Sequence, residues 1–250
     1  MRGAKKPICV FTLAYGKPEN LIWAGGMINS FKKFHPDIPV FLFTDKDVKK
    51  YEKDPRRFVR MYAAFGKELS KEYETVVQID NDSIVCGTLN HIFDDKTAKL
   101  ACPLNNNLID PKLMIHDIAP QVYVNAGFVM ARGERFWEWW DELNHRMYFD
   151  HYQYGEQDTL NMIFHYGYMK AKILDYDYKP YWHGLVHKGQ WHKFILRGKD
   201  IVLPKEEGVC DEDKIIKLIH YAGGQTVKMN FHTFFKPEVV KHLEELISDR

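Results

Sequence analysis

The chain has 250 residues, 45% hydrophobic and 28% charged, and its 35 Lys and Arg against 34 Asp and Glu leave a formal charge of +1. That balance excludes a strongly basic surface, so nucleic acid is not the expected partner. The length suits one domain, 1–250, and no linker, low-complexity tract or internal repeat divides it.

In chain order, "ICVFTLA" predicts a first strand and "KPENLIWAGGMINSFKKFH" a helix. Pro18 suits its first turn, and Leu21, Ala24, Met27 or Ile28, Phe31 and Phe34 recur at helical spacing. "PVFLFTD" is a second strand, followed by a charged helix from about Asp47 to Lys53. "RFVRMYAAF" reads as a third, weaker strand, "GKELSKEY" as a short helix and "TVVQI" as a fourth strand. Strands apolar on both faces and separated by helices imply an α/β fold: a mostly parallel sheet with helices on both faces. Ligands in such sheets bind at the carboxyl ends of the strands.

Beyond about residue 100 the alternation loosens. "QVYVNAGFVMAR" predicts a strand pair or one broken strand. "GERFWEWWDELNHRMYF" is helical, with Trp137, Trp140, Asn144 and Met147 on one side, a face suited to core packing. "GEQDTLNMIFHYG" is a helix opened by acidic residues, which complements its positive end. "YMKAKILDYDY" and "IIKLIHYAGG" are further strands, and "PEVVKHLEELISDR" is an amphipathic helix. The stretch 178–194, "YKPYWHGLVHKGQWHKF", has no clear period. Two readings stand there: a sugar-covering loop using Tyr181, Trp182 and Trp191, with His183, His187 and Lys188 reaching phosphate, or a loop that packs down.

Four cysteines, Cys9, Cys86, Cys102 and Cys210, lie far apart without a CxxC pair and read as reduced apolar fillers of a cytoplasmic protein. The start is basic, but its apolar run is short and feeds a strand, unlike a signal peptide. No stretch approaches the ~18 apolar residues of a membrane span. Work at a membrane would be peripheral.

Asp-x-Asp occurs four times, at Asp45/Asp47, Asp80/Asp82, Asp175/Asp177 and Asp211/Asp213. Only Asp80/Asp82 has apolar runs on both sides, where an unpaired carboxylate is costly and must find a cation. Residues i and i+2 of an extended chain project to one side, so both can reach one ion. Helix capping or pairing with Arg or Lys is the structural alternative.

"VVQIDNDSIVCGTLNHIF" resembles the Asp-x-Asp segment of GT-A-fold glycosyltransferases, especially the glycogenin and lipopolysaccharide galactosyltransferase-like group, family 8. "VNAGFVMA" is similar to that group's Asn-(Ser/Ala)-Gly strand, "EQDTLN" to its Asp-Gln-Asp-x-Leu-Asn helix start and "LIHYAGG" to its His-x-x-Gly segment. The order and spacing agree over about residues 7–230.

The resemblance implies a single GT-A, Rossmann-like domain, with nucleotide binding at about 7–100 and sugar and acceptor binding at about 101–250. It implies a hexosyltransferase acting from a nucleotide-diphosphate sugar, UDP-hexose foremost, onto a glycan or other hydroxyl acceptor with retention of configuration. Asp80, Asp82 and His220 would ligate the metal. An imidazole beside carboxylates favours Mn²⁺, with Mg²⁺ the alternative. A core histidine is the plain alternative for His220.

Glu156, Gln157 and Asp158 fall at the catalytic corner, with a helix cap as the structural alternative. Donor contacts would come from Thr12, Ala14, Tyr15, Asp45, Asp80, Asn81, Asn125, Ala126, Gly127, Gly223 and Lys228. The sequence departs from the group in four places, the first being that no acidic residue stands just after the first strand. Glu156 replaces the first Asp of Asp-Gln-Asp; Thr226 holds the phosphate-lysine position, with Lys228 two residues on; and no Pro-Trp follows.

Two other functions fit less well. A sugar-1-phosphate nucleotidyltransferase needs a Gly-rich loop after the first strand, and "TLAYGKPEN" has one glycine. A non-catalytic carbohydrate or nucleotide binder would not need the whole ligand set.

Overall fold

The computed structural model describes residues 4–51, 57–105, 118–146, 155–183, 188–206, 211–221 and 233–249. Its main layer is a six-stranded sheet in the order β2-β1-β3-β6-β5-β7. The strands are β1 (Lys6–Ala14), β2 (Val40–Thr44), β3 (Tyr73–Ile79), β5 (Leu100–Cys102), β6 (Phe128–Arg132) and β7 (Ala171–Ile173). β1 is parallel to β2 and β3, β6 is antiparallel to β3 and β5, and β7 is parallel to β5. Only β6 therefore runs against the others, and the expected mostly parallel sheet is borne out.

Strand periodicity divides the core. Cys9, Phe11, Val76, Leu100, Cys102, Val129 and Ala131 face one side; Val10, Val77, Ala101 and Met130, one residue out of phase, face the other. α3 (Arg57–Ser70), α5 (Arg135–Arg146) and α6 (Glu156–Tyr166) cover the first side with Met61, Phe65, Trp137, Trp140, Leu160 and Phe164. α1 (Pro18–Phe34) and α4 (Asn90–Phe93) cover the second with Met27, Phe31, Ile92 and Phe93. Trp137 and Trp140 are fully buried, as their helical face predicts.

A smaller layer carries the end of the chain. β8 (Tyr181–Trp182), β9 (Ile195–Arg197), β10 (Asp200–Leu203) and β11 (Lys214–Ile216) form a second sheet in the order β8-β11-β10-β9. β4 (Ser83–Val85) pairs antiparallel with β12 (Leu218–His220). α8 (Pro237–Ile247) packs Val239, Leu243 and Leu246 into the same cluster.

Several local expectations change. Residues 57–65 are helical, part of α3, rather than a strand. Met61, Ala64 and Phe65 are buried at i, i+3 and i+4, and Gly66 lets α5 close in: a Cβ there would stand 2.1 Å from Trp137 Cε3. Tertiary packing overrides the strand-like composition. The charged helix begins at Asp45, as α2 (Asp45–Val48) followed by a 3-10 turn at Lys49–Tyr51, and residues 52–53 lie outside the described residues. The 215–224 stretch is two strands in different sheets, parted at Lys217, with 222–224 outside the described residues. "YMKAKILDYDY" becomes β7 followed by the helical turn α7 (Leu174–Asp177). In "QVYVNAGFVMAR", a 3-10 turn at Pro120–Val122 and a single bridge from Leu104 to Val124 precede β6.

Within 178–194, Trp191 is 1% exposed and stacks on Phe235 at 5.2 Å, so it belongs to the core and not to a sugar-covering face. Tyr181 and Trp182 are half-buried in β8, His183 is fully buried, and His187 and the Lys188 side chain lie outside the described residues. Cys9, Cys86 and Cys102 are buried free thiols, burial pushing Cys9 up to about 12, and Cys210 lies outside the described residues. Among the described residues no helix is long and apolar enough to cross a membrane.

His35 closes α1 and accepts the Leu89 N–H on Nε2 at 3.0 Å between the rings of Phe31 and Phe93. An acceptor nitrogen must be neutral, and burial lowers this imidazole to about 4. His91, hydrogen-bonded to His183 at 2.7 Å, is likewise lowered to about 4 by burial. The unfolded chain takes these protons near pH 6.5, the folded chain only near 4. These two histidines therefore withdraw stability as pH falls from about 6.5 towards 4, while Glu156, raised by burial to about 8, acts in the opposite direction over that window. Urea midpoints at pH 7.5, 6 and 5 isolate the His35 share as the difference between wild type and His35→Gln, the variant losing less on acidification. Equal slopes would remove His35 from the account.

Candidate functional site

β3 ends at Ile79, and the chain turns through Asp80, Asn81 and Asp82 before β4. The Asp80 N–H donates to the Gly127 carbonyl at 2.8 Å, which ties the turn to the segment leading into β6. Asn81 Nδ2 donates to the Leu13 carbonyl at 2.9 Å, which fixes it to the end of β1. Register then brings in the histidine: β12 lies beside β4 with His220 opposite Ser83, and the Tyr221 N–H donates to the Asp82 carbonyl at 3.1 Å. Residues 138 positions apart in sequence thus meet at the strand ends.

His220 Nε2 lies 3.1 Å from Asp82 Oδ1 and 3.4 Å from Asp80 Oδ2. One ligand atom from each of the three side chains falls within 4.8 Å of the others. Asp82 is 7% and His220 5% exposed, while Asp80 is half-buried and opens outward. Burial alone would lower the imidazole, but the Asp82 and Asp80 carboxylates outweigh it and carry His220 up to about 10. A cation at this point would replace a proton on Nε2. Two hard oxygens and an imidazole nitrogen fit a divalent first-row ion better than an all-oxygen ion.

A polar wall backs the triad. Asn125 Oδ1 accepts from the Gly127 N–H at 2.8 Å and meets His220 Nδ1 at 3.0 Å. Asn125 Nδ2 donates to Gln157 Oε1 at 2.9 Å, and that oxygen also accepts the Ala126 N–H at 3.2 Å. A Cβ on Gly127 would stand 2.1 Å from His220 Cε1, so no side chain can replace the hydrogen there. Asn125 and Gly127, expected with Ala126 to line a sugar pocket, also stand behind the imidazole, and all three are buried.

Helix α6 sets this wall. Gln157 and Asn161 share a face one turn apart. Asn161 accepts the Val124 N–H and donates to the Val124 carbonyl, both at 2.8 Å, substituting for a strand partner. Asp158 is fully buried and accepts the hydroxyl of Tyr123. It ties α6 to the Tyr123 segment. Glu156 is half-buried; burial, with Asp80 and Asp158 adding to it, pushes its carboxyl up to about 8.

At the nucleoside end, Thr12 and Ala14 are buried and Tyr15 is half-buried. Asp45 Oδ1 accepts the Gly16 N–H at 2.9 Å, where Gly16 has φ +85°. Asp45 thus clamps the turn after β1. Gly223 and Lys228 lie outside the described residues.

The sequence reading overlooked two residues. Gln78, fully buried, donates from Nε2 to Asp80 Oδ1 at 2.7 Å and orients that carboxylate. Its position two before Asp80 on one strand face was a readable signal. Tyr62 is half-buried, and burial, together with Asp80, Tyr15, Glu156 and Asp82, pushes its phenol well above the ordinary value. Reading its segment as a strand removed it from the site.

No protein-family model matches the sequence, and no curated protein matches it. Solved structures do match in fold. The galactosyltransferase LgtC, in complex with donor and acceptor sugar analogues, superposes with TM-score 0.56 at 12% identity, covering 96% of this chain and 97% of LgtC. The bifunctional glycosyltransferase WbbM matches with TM-score 0.53 at 15% identity over 98% of this chain, which spans 50% of the WbbM chain. A glycosyltransferase involved in glycosylation of the major capsid of PBCV-1 matches with TM-score 0.54 at 11% identity, covering 90% of this chain and 98% of that one. These likenesses establish the fold: the expected GT-A architecture is present.

Proposed function

We propose that this chain is a cation-dependent glycosyltransferase that moves a hexose from a nucleotide-diphosphate sugar, UDP-hexose foremost, to a hydroxyl of a glycan or glycoconjugate, with retention of configuration, in the cytoplasm. The observation that carries the reading is the convergence of Asp80, Asp82 and His220 at the strand ends of this fold. Mn²⁺ suits the donor set, with Mg²⁺ the alternative.

A diphosphate leaves with concentrated negative charge, and stabilising that charge is the main catalytic task. A divalent ion held there would supply the neutralising charge. Asp80 and Asp82 place two carboxylates on one side of the turn, and His220 offers Nε2 from the opposite strand. Gln157 has its Oε1 anchored on Asn125 and Ala126, so its amide N–H groups are what it can offer a sugar oxygen. Glu156, its carboxyl raised by burial, opens α6 beside this corner. Asp158 acts through Tyr123 as a positioning residue. Tyr15 and Tyr62 close the nucleoside side, and Gly223 and Lys228 are assigned to the diphosphate on the sequence pattern alone.

The nucleotidyltransferase alternative loses ground on one contact. Its loop after the first strand must present free N–H groups to a triphosphate, yet the Gly16 N–H is taken by Asp45. A non-catalytic binder differs from the proposed enzyme in turnover. The test is a panel of nucleotide sugars with Mn²⁺, Mg²⁺ or chelator, following release of nucleoside diphosphate. Release from a UDP-hexose with Mn²⁺, lost on chelation, is the expected result. Binding without release would leave the chain a lectin-like binder.

A further inference from the structure

The arrangement behind His220 goes further than a ligand set, and it rests on the cation-site reading above. Two consecutive backbone N–H groups, Ala126 and Gly127, each donate to a side-chain amide oxygen, Gln157 Oε1 at 3.2 Å and Asn125 Oδ1 at 2.8 Å. A backbone N–H can only donate, so each amide has one allowed orientation. With its oxygen fixed inward, Asn125 can only accept from His220 Nδ1, 3.0 Å away. Nδ1 therefore carries the hydrogen, and Nε2 is left to face Asp80 and Asp82. Asn125 Nδ2 is held in turn by Gln157 Oε1 at 2.9 Å and Asn105 Oδ1 at 3.3 Å.

We propose that Asn125 is the positioning residue of the cation site. It reads its own orientation from the Gly127 and Gln157 contacts, keeps the hydrogen on His220 Nδ1 and fixes the ring rotation, so that Nε2 is the nitrogen a cation takes when it displaces the proton there. Two features support the assignment independently of the bonds. Gly127 has no room for a Cβ, because the imidazole edge fills that space. Asn125 is 5% and Gln157 8% exposed, so the amides have little water to turn towards. The chain Gln157–Asn125–His220 also couples the start of α6 to the cation, so loosening α6 should loosen the metal. Partners of this kind behind a metal-bound histidine are worth about 10–100-fold in affinity.

The test uses the full chain and Mn²⁺ as the probe, with no sugar present. Mn²⁺ affinity is measured by calorimetry, and pulsed paramagnetic resonance reads the nitrogen modulation from a coordinated imidazole. Wild type should bind with nitrogen modulation, and His220→Gln should lose that modulation. Asn125→Ala should bind about 10–100-fold more weakly with the modulation lost or scattered. Asn125→Asp keeps an acceptor facing Nδ1 and should retain the nitrogen modulation, although its second oxygen meets Gln157 Oε1 where the amide donated. If Asn125→Ala fails to fold by circular dichroism, Gln157→Ala substitutes, with a several-fold weaker affinity expected. Affinity and modulation unchanged in the folded variant would overturn the positioning role while leaving the cation site intact. A wild type that does not bind Mn²⁺ would instead overturn the cation site and this inference with it.

Discussion

Asp82→Asn is expected to lower transfer about 1,000-fold and to abolish the rise in Tm that Mn²⁺ gives the wild type. Asp82 is almost fully buried, with Oδ1 3.1 Å from His220 Nε2, so its charge is poorly screened by water. A unit pair at ~4 Å is worth ~4 kcal/mol at an effective dielectric near 20. Each tenfold in rate corresponds to ~1.4 kcal/mol, hence about three decades. The amide keeps the shape and removes only the charge. Binding-linked stabilisation grows with free ion over Kd, so the Tm shift reports the site without any sugar. Wild type and Asp82→Asn transferring equally well under chelation would end the metal assignment.

Trp191→Ala is expected to cost about 3–5 kcal/mol of stability, the range for emptying a buried aromatic site. Trp191 is 1% exposed, stacks on Phe235 at 5.2 Å and meets Tyr221 edge-on at 5.3 Å. Those contacts join the residue just after β12 to the segment just before α8, so the loss should also spread to the strand that carries His220. A sugar-stacking role predicts the opposite pattern: unchanged denaturant midpoint and raised KM for the acceptor. Chemical unfolding beside steady-state kinetics separates the two.

Both cases mark how far local pattern reaches. Period-2 alternation in β1, β3 and β6 is a property of adjacent residues, and it forecasts both covered faces of the sheet. The flanks of Asp80 and Asp82 forecast a carboxylate pair at a strand end, because burying charge between apolar runs demands a counter-charge. Residues 57–65 went the other way: an aromatic, apolar run suits a strand or a helix, and Gly66 against Trp137 decided it. Trp191 was undecidable locally, since an irregular segment carries no period to assign a face.

What this sequence determined alone was therefore the layered α/β architecture, the strand-end position of Asp80 and Asp82 and the helix opening at Glu156. Each follows from spacing within a dozen residues and the cost of leaving polar groups unpaired. The tertiary structure alone decided that Asn125 and Gly127 stand behind His220 and that Asp158 is held by Tyr123. Those contacts join residues tens of positions apart. Strand register and helix packing bring them together, and neither is written in any single segment.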